Sequence, residues 1–393
     1  MEDFLSAARQ MEEELIRNRR YLHQNAELGF ALPKTKAYLL KELRAYGYEP
    51  ELLGEGIVCV CGKPGKTIML RADMDALPQK EVSGLDFACT DGACHSCGHD
   101  AHMAMMLGVA KLLKEHEASL QGCVKIIFQA AEELLEGSAK MIEAGVLENP
   151  KVDAAMTFHI GFGPGDLYEN TVGRLVYSPK RMLSSADAFR ITVTGRSAHG
   201  STPYAGISAL NAAANIIVAI QQILASEVAC TEPSVISVCH LESGSSSNII
   251  PDKAVMEGSI RAYSRENRRF LKDRLAEVSR NIGANWHTEV ETIFTHGVGP
   301  TINDPELAEE LAGYCSEVMK EITVVPQLTY SEDFANYGEH VPSFFASLCA
   351  GTPQQGHKHS LHDPAATFEE EAMVYGVAAF CNSAVKWLAN HCE

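Results

Sequence analysis

Between residues 66 and 160 short apolar runs alternate with amphipathic stretches, and near residue 186 that alternation changes. KTIMLRADMDALP (66–78) reads as a buried strand entering a polar loop closed by Pro78, and CVKIIFQA (123–130) and VDAAMTFHI (152–160) read as further strands. HMAMMLGVAKLLKEH (102–116) and GSAKMIEAG (137–145) have helical apolar spacing, the second ended by Gly145; residues 4–23 and 34–46 read as earlier amphipathic helices. Strands alternating with helices predict an α/β layer whose loops gather at the carboxyl ends of a largely parallel sheet. From residue 186 the order becomes strand AFRITVTG, helix 206–225, strands SVISVCHL and KAVMEGSIRAY, helix 265–283 and strand NWHTEVETIFT. This βαββαβ order is the ferredoxin-like unit. The first rhythm then returns with a helix in NDPELAEELAGYCSEVMK capped by Asn303 or Asp304, a strand in SFFASLCAG and a closing helix in TFEEEAMVYGVAAFCNSAVKWLA. The expected fold is therefore α/β and discontinuous. Residues 1–185 and 297–393 form one domain, a mixed sheet flanked by helices, and residues 186–296 an inserted ferredoxin-like domain.

A chain of 393 residues has room for two or three domains. Its net charge of −18, with no concentrated basic stripe, opposes phosphate backbones, so no nucleic-acid partner is expected. No segment approaches the ~18 consecutive apolar residues of a membrane span, and no membrane partner is expected. The start MEDFLSAARQMEEELIRNRR lacks the basic opening and short apolar run of a secretory signal, which predicts a cytoplasmic location. Most of the 12 cysteines, including Cys59, Cys61, Cys230, Cys239, Cys315, Cys349 and Cys381, stand in apolar contexts suited to small core residues in a reducing compartment.

Chemistry-bearing residues collect where strands end: Asp73 and Asp75; Cys97, His99 and Asp100; Glu132 and Glu133; His159. A fifth cluster, HKHSLHDP (357–364), precedes the last helix. Thiolate, imidazole and carboxylate together suit zinc, manganese or cobalt better than magnesium or calcium. Adjacent glutamates in FQAAEELLEG point in different directions, so one can hold a metal while the other takes a proton from metal-bound water. Plainer readings exist for each piece. Cys94 and Cys97 form a C-x-x-C, the spacing of a redox pair or half of a structural zinc knot; the aspartates of RADMDALP can be loop caps, and a Glu pair is commonly a solvated helix start.

The ordered set RRYLHQNAELGF, LRADMDALP, HSCGHDAHMAMMLG, FQAAEE, SAHGSTPYAG, SNIIPDKAVMEGSIR, YSEDFA and HSLHDP resembles the aminoacylase/hippurate hydrolase family of dinuclear metallopeptidases. Within it, the branch in view includes indoleacetyl-amino-acid hydrolases and N-acetyl-amino-acid deacetylases. The resemblance implies a metallopeptidase catalytic domain with an inserted domain that serves as lid and dimer interface. It implies two divalent metal ions (zinc, manganese, cobalt or nickel) held by Cys97, His99, Glu133, His159 and His362, with Cys97 bridging and Glu132 as general base. It also implies that Asp75 orients a ligand, and that His199 crosses the dimer interface to stabilise the oxyanion. Asn248 and Arg261 would hold the carboxylate of the amino-acid half of the substrate. Cys94 is then a bystander, and His95 and His102 are structural or stand behind the ligands.

The implied activity is hydrolysis of an N-acyl-L-amino acid, a small-molecule substrate, to a carboxylate and a free amino acid by a homodimer. A dipeptidase or carboxypeptidase of the same family is the nearest alternative. A binding module without catalysis is the other, and it gives no reason to keep Glu132. Ala130, Asn25-Ala26 and Ala366 stand where the family usually has Pro, His-Pro and an aromatic residue, departures that bear on substrate preference.

Overall fold

The computed structural model describes residues 3–164 and 168–392. The chain divides into two compact units, one of Met1–Met182, Ile302–Gln327 and Asp333–Glu393, the other of Leu183–Thr301 and Leu328–Glu332.

The first unit is built on an eight-stranded mixed sheet in the order Glu51–Leu53, Gly56–Gly62, Cys123–Gln129, Thr67–Asp73, Ala154–Gly161, Ser343–Cys349, Arg174–Tyr177, Glu321–Val324. The four central strands from Cys123–Gln129 to Ser343–Cys349 are mutually parallel and buried along their whole length, as their near-continuous apolar runs require. Antiparallel pairs and short strands flank them, which makes the sheet mixed. Glu51–Leu53, Arg174–Tyr177 and Glu321–Val324 have 3, 4 and 4 residues, too few for periodicity to identify from sequence.

The helix His99–Glu115 packs on the strand Thr67–Asp73 and between Glu12–Gln24 and Ala372–Asn390. It begins at His99 rather than near His102 because Gly98 takes the left-handed conformation at φ 87°, a turn in which a Cβ would lie 2.2 Å from Ile160 Cγ2. Asp304, not Asn303, caps the helix Pro305–Cys315 by accepting from Leu307 N at 3.0 Å. Asn303 is buried and bridges Ser178 and Phe345 instead. Ala209–Ser226 and Ala372–Asn390 are long and apolar enough to cross a membrane by length and composition alone. The second is packed against Phe4–Gln10, His99–Glu115 and Pro305–Cys315, which accounts for its apolarity.

The second unit holds an antiparallel sheet in the order Glu289–Val298, Ala186–Thr194, Lys253–Ala262, Ser234–Ser243, the 4-1-3-2 order of a βαββαβ fold. Burial alternates along Ala186–Thr194, and Phe189, Ile191 and Val193 meet Ile216 and Ile220 of Ala209–Ser226 and Leu271 and Leu275 of Arg265–Asn285. A separate ribbon pairs Ala198–His199 with Ile249–Ile250.

One buried ionic cluster ties the N-terminal helices to the start of His99–Glu115. His23 places Nδ1 2.9 Å from Asp100 Oδ2 and Nε2 3.0 Å from Glu81 Oε1, and Arg19 Nε donates to the same Asp100 oxygen at 2.9 Å. Two carboxylate acceptors call for a doubly protonated ring. Burial opposes that charge, but Asp100 and Glu81 outweigh it and raise the His23 pKa from 6.5 to about 9. A raised folded-state pKa gives stability that is complete below the unfolded value and lost as pH climbs through the folded one. His23→Gln is therefore expected to destabilise the protein by on the order of 3 kcal/mol at pH 6 and by clearly less at pH 9.5. Urea unfolding at the two pH values checks this, and an unchanged difference would contradict it.

Candidate metal centre

The parallel strands deliver their carboxyl ends to one edge of the sheet. Asp73 ends its strand and Asp75 follows; Glu132 and Glu133 follow Cys123–Gln129; His159 lies near the end of Ala154–Gly161; Cys97 and His99 flank the turn at Gly98. His362 arrives from the segment after Ser343–Cys349, where its backbone N–H donates to Ser96 O at 3.0 Å. Ligand atoms of Cys97, His99 and His159 lie within 4.8 Å of one another, as do those of Cys97, Glu133 and His362, and those of His99, Glu132 and Glu133. Cys97 belongs to two of these groups, with Sγ 3.3 Å from His159 Nε2.

The ring hydrogen bonds separate histidines with a nitrogen left to take a metal from one that is satisfied at both nitrogens. His99 Nδ1 donates to Asp75 O at 2.8 Å, which leaves Nε2 with its lone pair. That nitrogen is buried without a hydrogen-bond partner, yet Asp73 Oδ2, Glu132 Oε2 and Glu133 Oε1 surround it at 3.7, 3.9 and 3.9 Å. Those separations exceed a hydrogen bond and suit donors gathered around a common cation. His159 likewise commits Nδ1 to a carbonyl, Ile160 O at 2.8 Å, and turns Nε2 toward Cys97. His102 differs. Its Nδ1 donates to Asp73 Oδ1 at 2.6 Å and its Nε2 accepts from Ile160 N at 2.8 Å, so no lone pair remains for an ion.

Asp75 braces this edge in a way its sequence position does not reveal. Its carboxylate accepts from Glu132 N at 2.9 Å and Glu133 N at 3.2 Å, while its carbonyl oxygen holds His99. The orientation of the imidazole thus comes from Asp75 main chain, and the side chain fixes the two glutamates. Burial raises the Asp75 carboxyl to about 7. Burial likewise holds the His99 and His362 rings below the ordinary histidine value, in the neutral form that binds metals.

Under the site lies a network that sequence reading passed over. Arg71, 2% exposed, donates to Asp73 Oδ2 at 2.6 Å, to Asp333 Oδ1 at 2.9 Å and to Gln129 Oε1 at 3.2 Å. Burial works against the Asp73 charge, but the Arg71 guanidinium and the His102 N–H hold its carboxyl well below the usual range. The signal was present: an arginine inside the run IMLRAD implies a buried charge partner. Five carboxyl groups (Asp73, Asp75, Glu132, Glu133, Asp333) share this edge with the Arg71 guanidinium, an excess of negative charge that divalent cations offset. The donor chemistry and the orphaned His99 nitrogen both fit such ions.

In the second unit the ribbon brings His199 and Asn248 together: Gly200 N donates to Asn248 O at 2.7 Å beside the His199–Ile249 pair. His199 is exposed, and its Nδ1 accepts from Ser201 N at 3.1 Å, which leaves Nε2–H as a donor. Arg261 is not with them. It sits near the far end of Lys253–Ala262, roughly 25 Å along the strand from the ribbon, and donates to the Ser331 hydroxyl.

Residues 69–386 match the profile of peptidase family M20/M25/M40. The chain belongs to that family. It is 34% identical to N-acetyl-L-cysteine deacetylase of Bacillus subtilis over 369 residues, covering 93% of this chain and 86% of the relative. It is 33% identical over 400 residues to thermostable carboxypeptidase 2 of Saccharolobus solfataricus, covering 98% of each. Among solved structures, the Bacillus subtilis YXEP protein, described as a dinuclear metal binding peptidase from the M20 family, superposes with a TM-score of 0.82 at 30% identity, over 97% of this chain and 99% of that one.

A redox role for Cys94 and Cys97 is testable against this geometry. Burial raises the Cys94 thiol to about 12, and Leu77 and Cys94 exchange backbone hydrogen bonds of 3.0 and 2.9 Å in a structural bridge. Cys97→Ser is expected to lower bound metal and to cut activity by about 100-fold or more, and Cys94→Ser to change either by less than about threefold. Metal analysis beside initial rates checks both. Equal losses in the two variants would favour the thiol pair.

Proposed function

We propose that this metal-dependent hydrolase cleaves N-acyl-L-amino acids to a carboxylate and a free amino acid, with Glu132 as general base. The observation that carries the reading is the convergence of Cys97, His99, Glu133, His159 and His362 at one sheet edge beside a second carboxylate, Glu132, with the backbone N–H groups of both glutamates held by Asp75. These five residues would hold two divalent ions. Zinc, manganese, cobalt and nickel all suit these donors. Bound there, such ions would supply Lewis-acid polarisation of the substrate carbonyl and would lower the pKa of a water toward ~7. Glu132 accepts the proton of that water and delivers it to the departing amine nitrogen.

His199 Nε2–H supplies a donor for the oxyanion, and Asn248 and the Arg261 fork hold the amino-acid carboxylate. Within the second unit His199 and Arg261 lie too far apart to serve one substrate, which supports a site completed by a second copy of the chain. Ser234–Ser243 is an edge strand, and the neighbouring helix Ala209–Ser226 carries no charged residue and exposes Leu210 and Val218; both suit burial in a homodimer interface. The inserted domain, residues 186–296, then acts as lid and dimer interface at once. No disulfide joins any of the cysteines among the described residues, which suits a reducing, cytoplasmic setting.

A carboxypeptidase reading is favoured by the full-length similarity to the Saccharolobus protein. Both reactions release an amino acid bearing a free carboxylate and differ on the acyl side of the bond. Rates on N-acetyl, N-benzoyl and dipeptide substrates separate them; hydrolysis confined to peptides would overturn the N-acyl reading. Glu132→Gln is expected to keep its metal and lose about 1,000-fold or more in kcat, and retained activity would remove Glu132 as the base. Mixing inactive His199→Ala and Arg261→Ala proteins under subunit exchange should restore about a quarter of wild-type activity through heterodimers with one intact site. No recovery despite exchange would contradict the shared site.

A further inference from the structure

The segment from Gln129 to Ser138, which carries both glutamates, holds a costly backbone conformation. Ala131 and Leu135 adopt positive φ of 55° and 58°, and a Cβ on Gly137 would lie 1.6 Å from Ala130 O. Such a path persists only where its surroundings impose it. Asp75 grips its middle through Glu132 N and Glu133 N. A second buried carboxylate, Asp333, grips its two ends: Gln129 Nε2 donates to Asp333 Oδ1 and Oδ2 at 2.7 and 2.8 Å, and Ser138 N donates to Oδ2 at 2.9 Å. Arg71 Nη2 donates to Oδ1 as well. These partners are all donors, so the position calls for an acceptor-only side chain. Asp333 also opens the turn Asp333–Glu339, and its own backbone N–H points at Glu132 Oε1 at 3.4 Å.

We propose that Asp333 is a positioning residue for Glu132: its carboxylate closes the strained Gln129–Ser138 segment, and its N–H steers the Glu132 carboxylate. This rests on the reading of Glu132 as general base. The segment YSEDFA, about 200 residues downstream of that base, thereby acquires a role in proton transfer.

The test measures kcat, KM and bound manganese with N-acetyl-L-methionine in the full-length protein. Asp333→Asn sets an amide donor against donors and is expected to lower kcat about tenfold or more while KM and metal content stay within about twofold. In a Glu132→Asp background, where the shortened carboxylate is drawn back from the Asp333 N–H, the same substitution should change kcat by less than about twofold. A purely structural Asp333 would lower kcat equally in both backgrounds, and that result, an unchanged kcat, or a loss explained by missing metal would each overturn the proposal. If Asp333→Asn does not accumulate folded, Gln129→Met carries the same comparison. It removes two of the donors and keeps the Arg71–Asp333 pair, with an expected kcat loss of about threefold that again disappears in the Glu132→Asp background. Glu132→Gln separates the two ideas: full activity in that variant ends the reading of the base, whereas an inactive Glu132→Gln with no background dependence for Asp333 ends this inference alone.

Discussion

The carboxylate of Asp75 accepts the backbone N–H groups of both Glu132 and Glu133, and the carbonyl of the same residue accepts from His99 Nδ1. Two segments from separate strand–helix units are thereby locked to one buried residue of a third. That contact anchors the backbone of both glutamates, on which the proposed division of roles between them depends. Removing such a buried acceptor leaves two N–H groups without their partner, a cost of about 1–3 kcal/mol for each. The placement of Glu132, Glu133 and His99 and the stability of the fold therefore rest on the same residue.

Charge is the second constraint. The sheet edge gathers carboxylates from Asp73, Asp75, Glu132, Glu133 and Asp333 around the guanidinium of Arg71. Partial neutralisation comes from within: Arg71 spans Asp73 and Asp333, and His102 donates to the far oxygen of Asp73. What is left over is concentrated near His99 Nε2, the Cys97 sulfur and Glu133. The arrangement is costly for an empty protein and favourable for one that holds divalent ions, so metal binding and the stability of this edge are coupled.

Much of this was legible in the order of the residues. Apolar strands alternating with helices, interrupted by a βαββαβ stretch, marked the α/β sheet, and polar clusters at strand ends marked the edge where chemistry gathers. The ordered motifs then singled out Cys97, His99, Glu132, Glu133, His159 and His362, which the structure brings into one place. Other features were not legible because they depend on backbone groups and on tautomers. That Asp75 works through its carbonyl as well as its side chain, that His102 is satisfied on both nitrogens while His99 is not, and that Asp333 closes the segment bearing Glu132 and Glu133 are facts of three-dimensional pairing. The start of the helix at His99 depended on Gly98 adopting a left-handed turn against Ile160, a steric fact outside the sequence pattern. The short strands Glu51–Leu53 and Glu321–Val324 escaped for a simpler reason, being briefer than one readable period.

The central claim is that the residues around Cys97 would hold two ions while Glu132 stays outside their coordination. Anomalous diffraction from crystals of the metal-loaded Glu132→Gln protein tests it most directly. Two peaks are expected, both in bonding reach of Cys97 Sγ, with His99, Glu133, His159 and His362 supplying the other protein ligands and residue 132 supplying none. A single peak, or a peak bonded to residue 132, would contradict the account.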